Sequence, residues 1–352
     1  MATAAVFPQT SMGAGMYESF YLRTVSAREP VGAWIRHTVH KAPGRPARGS
    51  LWCTVFDAAR GRPFMHKLTS DELQVPAGGW IAVGRAAAGA PGRAGGAATS
   101  EGRAAEQEPG EGGRLTPELA EGRCGPARWT LRCSAQDSEL RHLPRPFLYR
   151  TRLPRTKLTS PAPRARFEGT IEIEGRGPLE VDGWGGMIGH NWGSEHAERW
   201  IWLHGIDFAE SETAWLDVAI GRVKVGRVST PWIANGALSL EGRRYRIGGL
   251  GARGLRVAES PERCRLHLTG ESGLALDADV EVPAESAAGW RYTDPDGSPH
   301  DVVNCSIARL SLELKLPGAD RPRSLTTDHG GAYELGMREQ DHGVPLAPFR
   351  EG

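Results

Sequence analysis

Apolar residues in this chain recur in short β-branched and aromatic runs cut off by Gly, Pro, Asp and Asn, and almost nowhere at the spacing of a long amphipathic helix. The runs fall at 33–39, 51–56, 129–133, 165–173 and 200–208, and continue at 214–225, 237–240, 243–247, 255–257, 263–269, 274–282 and 304–316. Strands alternate their side chains between two faces, and many short strands with regular turn signals build sandwiches or barrels. The expected fold class is therefore all-β, built as antiparallel barrel or sandwich, with one short helix predicted over 116–121.

A chain of 352 residues exceeds what one hydrophobic core usually organises, so two domains are expected, one large β domain being the alternative. Residues 85–125 are dominated by Ala, Gly, Glu and Arg, with Leu115 and Leu119 as the large aliphatics, and read as a disordered surface insertion. The stretch 143–163 carries Pro144, Pro146, Pro154, Pro161 and Pro163 and reads as an extended strap, on which Phe147, Leu148, Tyr149 and Leu153 need packing partners. A glycine-rich turn is predicted at 182–186, which places the domain join near residue 195. The expected domains are 1–195 and 196–352, each a β domain, with the central motif at or across their interface.

Lys and Arg number 43 against 42 Asp and Glu, so the formal net charge of +1 supplies no field for nucleic acid or an acidic membrane. No nucleic-acid partner is expected. Cys53, Cys124, Cys133, Cys264 and Cys305 are odd in number and form no CxxC pair, which argues against a disulfide framework and structural zinc. The first fifteen residues lack a basic start and apolar core, and no run approaches the roughly 18 apolar residues of a transmembrane helix. A cytoplasmic protein without a transmembrane segment is expected; transient membrane contact and oligomeric state stay open.

Residues 185–205, GGMIGHNWGSEHAERWIWLHG, hold His190, Asn191, Trp192, Trp200, Trp202 and His204. On a strand Trp200, Trp202 and His204 share one face, with Ile201 and Leu203 on the other. Apolar on both faces, such a strand is buried, and indoles with a histidine suit a ligand cavity with sparse hydrogen-bonding groups. The bland alternative makes His190, Asn191 and Trp192 a polar plug and the tryptophans core.

Tyr17-Glu18-Ser19-Phe20-Tyr21, the run 149–163, the GHNWG of Gly189 to Gly193 and the WxW of Trp200 and Trp202 together resemble the two-domain lipocalin-like superfamily. It comprises carotenoid 1,2-hydratases (hydroxyneurosporene synthases), AttH-type proteins, plant tocopherol cyclases and lipocalin-like Diels–Alderases. The resemblance implies two lipocalin-like β domains side by side around an apolar cavity. It also implies chemistry on polyenes or isoprenoids without metal or redox cofactor. One position departs: carotenoid hydratases usually carry an acidic residue directly before HNWG, where this chain has Gly189.

Hydration or cyclisation of an alkene starts with proton delivery to carbon and passes through a cation. In Trp215-Leu216-Asp217-Val218-Ala219-Ile220, alternation sets Asp217 beside Trp215 and Ala219, and an aspartate in apolar surroundings has its pKa raised, as a general acid requires. A salt bridge from Asp217 to an arginine is the alternative. The candidate catalytic residues are Asp217 and His190. The candidate substrate-binding residues are Trp192, Asn191, Trp200, Trp202, His204, Trp215, Tyr17 and Glu18, with indole faces to stabilise a cation. His190, His196 and His204 stand in no recognised metal pattern with an acidic or cysteine ligand, and there is no GxSxG elbow, P-loop or strand-linked GxGxxG. No metal and no cofactor are expected. The sequence thus points to a cofactor-independent hydratase, cyclase or isomerase of a hydrophobic polyene, isoprenoid, steroid-like or polyketide substrate. A non-catalytic lipocalin-like carrier and a pericyclase working by shape are the alternatives.

Overall fold

The computed structural model describes residues 3–85, 110–225, 228–249, 252–339 and 342–349. The first strands are β1 (Met16–Val25), β2 (Val31–Lys41), β3 (Arg48–Asp57), β4 (Phe64–Ser70), β5 (Leu73–Gln74) and β6 (Ile81–Gly84). They are followed by β7 (Gly112–Leu115), β8 (Leu119–Cys124), β9 (Ala127–Ala135), β10 (Leu140–Arg141), β11 (Thr156–Ile173) and β12 (Leu179–Gly193). These form one antiparallel sheet in the order β4-β3-β2-β1-β12-β11-β9-β8-β7-β6-β5, with β10 on β11, curled into a nearly closed barrel.

The remaining strands are β13 (Arg199–Gly205), β14 (Trp215–Arg222), β15 (Lys224–Val225), β16 (Val228–Ser229), β17 (Ile233–Leu240) and β18 (Arg243–Gly248). After them come β19 (Arg256–Glu259), β20 (Arg263–Thr269), β21 (Ala275–Glu281), β22 (Ala288–Thr293), β23 (Pro299–Lys315) and β24 (Arg323–Met337). Apart from the small β15–β16 ribbon they make a curled half-barrel in the order β18-β17-β14-β13-β24-β23-β21-β20-β19, with β22 on β23. The protein is all-β, with a two-domain lipocalin-like architecture. No helix among the described residues is long and apolar enough to cross a membrane, and all five cysteines are buried free thiols.

Where one face meets solvent the alternation is plain. In β9, Ala127, Trp129, Leu131 and Cys133 turn inward while Arg128, Thr130, Arg132 and Ser134 are exposed. β1 and β2 differ, being buried almost throughout. Phe20, Leu22, Ala33, Ile35 and Val39 fill the barrel core, whereas Trp34 and, from β3, Trp52 and Phe56 join the core of the second sheet. This wall serves two cores at once. Polar side chains on its far face therefore need partners from the other sheet. Arg23 meets that demand by donating to the carbonyls of Ser306 at 2.9 Å and Gly330 at 3.0 Å.

Three expectations are corrected. Residues 110–125 are not disordered, and 116–121 is not a helix: the segment forms the β7–β8 hairpin, closed where Thr116 Oγ1 accepts from the Leu119 amide at 3.0 Å. Leu115, Ala120 and Cys124 are buried there, so the small residues that look like a missing core instead pack closely. Residues 86–109 of the expected insertion lie outside the described residues. The glycine-rich 182–186 is strand, not turn: a Cβ at Gly186 would sit 2.0 Å from the Arg23 carbonyl oxygen, so glycine lets β12 lie against β1. The strap starts as a 3-10 turn at Pro146–Tyr149 and continues into β11, where register breaks surround Pro161 and Pro163. Tyr149 closes it by donating to the Leu158 carbonyl at 2.9 Å, but Phe147 and Leu153 remain 60% and 66% exposed and pack on little.

Two histidines are buried in neutral form. Desolvation lowers His37 to about 3, and desolvation assisted by the Arg23 charge lowers His204 to about 4. Both pKa values lie below the ordinary 6.5, so the unfolded chain binds protons that the folded chain refuses. Stability is full above pH 6.5 and falls as the pH drops towards 4 and 3. Urea unfolding at a series of pH values is expected to show this loss, and His37→Leu to remove about 3 kcal/mol of it at pH 4. An unchanged slope in that variant would show that His37 is not held neutral.

Candidate ligand cavity between the two sheets

A cavity of about 340 Å³ opens between the far face of the β1–β2–β12 wall and the facing side of β13, β14 and β24. The wall contributes Tyr21, Trp34, Arg36 and Asn191; the second sheet contributes Trp200, Trp202, Ala219 and Glu334. The strap closes one end with His142, Leu143, Pro144 and Leu148. Strand pairing explains the grouping: Tyr21 stands opposite Gly189 on β12 and opposite Arg36 on β2, while Trp202 stands between Ala219 and Glu334. Gly189 has a specific task here. A Cβ at that position would lie 2.2 Å from Tyr21 Cζ, so glycine makes room for the phenol ring.

Asp217 lies under this floor, fully buried. It accepts from Trp202 Nε1 at 3.0 Å and from the Ser160 hydroxyl, and His142 Nε2 is 3.3 Å from its Oδ2. Burial works to raise its pKa, but His142 above all, with Ser160, outweighs burial and holds it at about 2. The expected raised pKa is thus reversed, and the partner is a histidine rather than an arginine. His142 Nδ1 faces the Asn235 carbonyl at 3.1 Å, which can only accept, so the ring's proton sits there. His142 and Trp202 are the members of this cluster that face the cavity.

Tyr21 is the phenol of the site. Desolvation first, then the nearby Asp217 and Glu334 charges, raise its pKa well above 10, so it stays a donor at all working pH values. Glu334 accepts from Trp200 Nε1 at 2.9 Å, Tyr292 Oη at 3.0 Å and Asn304 Nδ2 at 3.3 Å, which fixes the indole at the wall. Asn191 Oδ1 is buried without a partner.

The other predicted residues lie elsewhere. His190, Trp192 and Glu18 alternate to the barrel side, away from the cavity and from Asp217. His190 stacks on Phe20 with ring centres 3.9 Å apart and donates to Glu18 Oε1 at 2.7 Å, and Trp192 stacks on His190 at 4.5 Å. Glu18 also accepts from the Val6 and Phe7 amides at 2.8 Å each, tying down the N-terminal segment. His204 is locked between Arg23 Nη1 and the Pro163 carbonyl, each at 2.9 Å. Trp215 is core, its Nε1 donating to Asp137 at 2.8 Å. Tyr17 shares the Tyr21 face of β1 without lining the cavity itself; it is stacked on His196 at 3.8 Å and bonded to Thr156 Oγ1 at 2.8 Å, two residues that do line it. Of the predicted binding residues, Asn191, Trp200 and Trp202 line the cavity. The sequence reading missed Arg36, His142 and Glu334 as cavity residues; each is a lone polar residue in an ordinary strand or strap, and only pairing across the chain brings it there.

His196, Asp294 and His300 place a nitrogen or oxygen each within 4.8 Å of one another, the spacing of a metal site. The donors are already occupied with one another: Asp294 accepts from His196 Nδ1 at 2.6 Å, the His196 amide at 2.9 Å and His300 Nε2 at 2.9 Å. Burial opposes ionisation of Asp294, but these bonds hold its carboxyl far below the usual range. The far nitrogens, His196 Nε2 and His300 Nδ1, have no acceptor to orient a metal-bound ring. The trio fits a carboxylate clamping two imidazoles rather than an ion.

This architecture is a two-domain lipocalin-like fold, and the fold is what the chain shares with known structures. No family model and no curated protein matches its sequence. Among solved structures it is similar to CghA, with a TM-score of 0.58 and 12% identity over 96% of this chain and 90% of that one. CghA has also been solved with Sch210972. A putative AttH from Nitrosomonas europaea gives a TM-score of 0.51 at 13% identity, covering 96% and 97% of the two chains. Kievitone hydratase from Nectria haematococca gives 0.50 at 9% identity, covering 96% and 94%.

His190→Ala is expected to cost about 3 kcal/mol in urea unfolding, through lost stacking and the lost hydrogen bond to buried Glu18. Ligand binding per folded molecule should stay unchanged. A selective loss of binding at full stability would return His190 to the site.

Proposed function

We propose that the protein is a hydratase, cyclase or isomerase that works without a cofactor on a hydrophobic, unsaturated small molecule bound between the two sheets. The observation that carries this reading is the cavity itself: walls of Trp34, Trp200, Trp202, Leu158 and Ile220 around a permanently protonated phenol, Tyr21, with the buried Asp217 carboxylate behind His142. Apolar walls with few convergent polar groups are the usual form of a small-molecule site. Indole faces stabilise positive charge developing on carbon by roughly 0.5 to 2 kcal/mol each once water is excluded. Tyr21 donates a hydrogen bond to a substrate oxygen, and Asp217 acts through His142 and Trp202 as a positioning residue. Two of the similar folds belong to a hydratase and to a protein solved with a bound organic molecule by name, which agrees with this reading.

The test is incubation of the purified protein with a panel of polyenes, isoprenoids and polyketide-like alkenes, with mass spectrometry for a gain of one water or an isomer of unchanged mass. Tyr21→Phe is expected to lower turnover about 100-fold, with binding and melting temperature little changed. Asp217→Asn should lower turnover comparably and shift its pH profile, because the buried carboxylate beside His142 is lost. Ligands bound without conversion by the wild type would mark a carrier and overturn the enzymatic reading.

A further inference from the structure

Two buried cations of the β1–β2 wall are surrounded by acceptors, and a third differs. Lys41 Nζ donates to the carbonyls of Ser11, Met12 and Ala14 at 2.7, 2.9 and 2.6 Å. Arg23 donates to two carbonyls and His204. Arg36 is 5% exposed, and its Nε donates to Ser19 Oγ at 2.9 Å. Its guanidinium lies 4.0 Å above the Tyr292 ring centre and 5.8 Å from those of Trp34 and Trp52. Among the described residues no carboxylate reaches ion-pairing distance of it. Glu334, the acid of the cavity, directs its oxygens to Trp200, Tyr292 and Asn304 instead.

A guanidinium removed from water without a counter-ion is costly, and aromatic faces compensate only part of that cost. Arg36 lines the cavity. Tyr21 faces it across the β1–β2 register and is near enough that the Arg36 charge opposes the rise of the phenol's pKa. One ligand oxygen can therefore take a charge-assisted bond from Arg36 and a second from the Tyr21 hydroxyl. We infer that the ligand of this cavity carries a carboxylate, which Arg36 binds while the unsaturated apolar body lies along the tryptophans. This rests on the proposed role of the cavity as a small-molecule site and names the substrate class.

Parinaric acid, a fluorescent straight-chain polyene carboxylic acid, and its methyl ester separate the two ideas when titrated against the wild type, Arg36→Met and Arg36→Lys at pH 8. The wild type is expected to bind the acid about ten-fold more tightly than the ester. Arg36→Met should weaken the acid to the ester's affinity and leave the ester within two-fold, roughly, while Arg36→Lys keeps part of the preference. Ala219→Trp, which fills the cavity, should abolish both. Equal affinity for acid and ester in the wild type, or equal weakening of both by Arg36→Met, overturns the role of Arg36 while ester binding upholds the cavity. Failure of both probes, or binding that survives Ala219→Trp, overturns the inference together with the cavity reading.

Discussion

Burial of β1 and β2 on both faces is the constraint from which the rest follows. A strand with one wet face tolerates any polar residue there; this wall has no wet face, so each polar side chain on it must be matched from across the interface. Arg23 is matched by the Ser306 and Gly330 carbonyls and by His204, Glu18 by two backbone amides and His190, and Lys41 by three carbonyls. Of these, the Arg23 bonds join elements far apart in sequence and fix how the two sheets meet. Arg36 and Tyr21, on the same wall, are left facing a space instead of a partner. The site is the part of the interface where matching stops.

The chemistry of that space is set by the contrast between dry walls and a few polar groups whose protons are assigned by neighbours. Asn235 dictates the His142 tautomer, Trp202 and Ser160 direct hydrogens onto Asp217, and Tyr21 stays protonated through desolvation. None of these groups has a free choice of state, and that is what preorganisation means for proton transfer. Asp217 illustrates how environment overrides composition. Its own strand is apolar, which suggests a neutral acid, but Ser160 and His142 come from elsewhere in the chain and keep it ionised.

Much of the fold was legible because strand periodicity and turn residues are local. The runs at 33–39, 51–56, 129–133 and 263–269 all fall inside observed strands. Legibility failed where small residues took over. Glycines in β7, β8 and β12 look like loops by composition, yet they are strands pressed against neighbours, and that pressure is visible only in three dimensions. At the site, Trp200, Trp202 and Asn191 were readable as an aromatic, amide-bearing cluster. His190, Trp192 and Glu18 were misplaced because alternation tells which residues share a face, not which face meets the cavity.

By itself the sequence determined the all-β class, the shared face of Trp200, Trp202 and His204, and the concentration of chemistry around residues 185–205, because each follows from side-chain spacing along one strand. Only the tertiary structure decided that Arg36, Tyr21, His142 and Glu334 surround one cavity, and that Asp217 is ionised beneath it. Those outcomes depend on register between strands more than a hundred residues apart and on the desolvation and hydrogen bonds that arise when the sheets close, which no local pattern encodes.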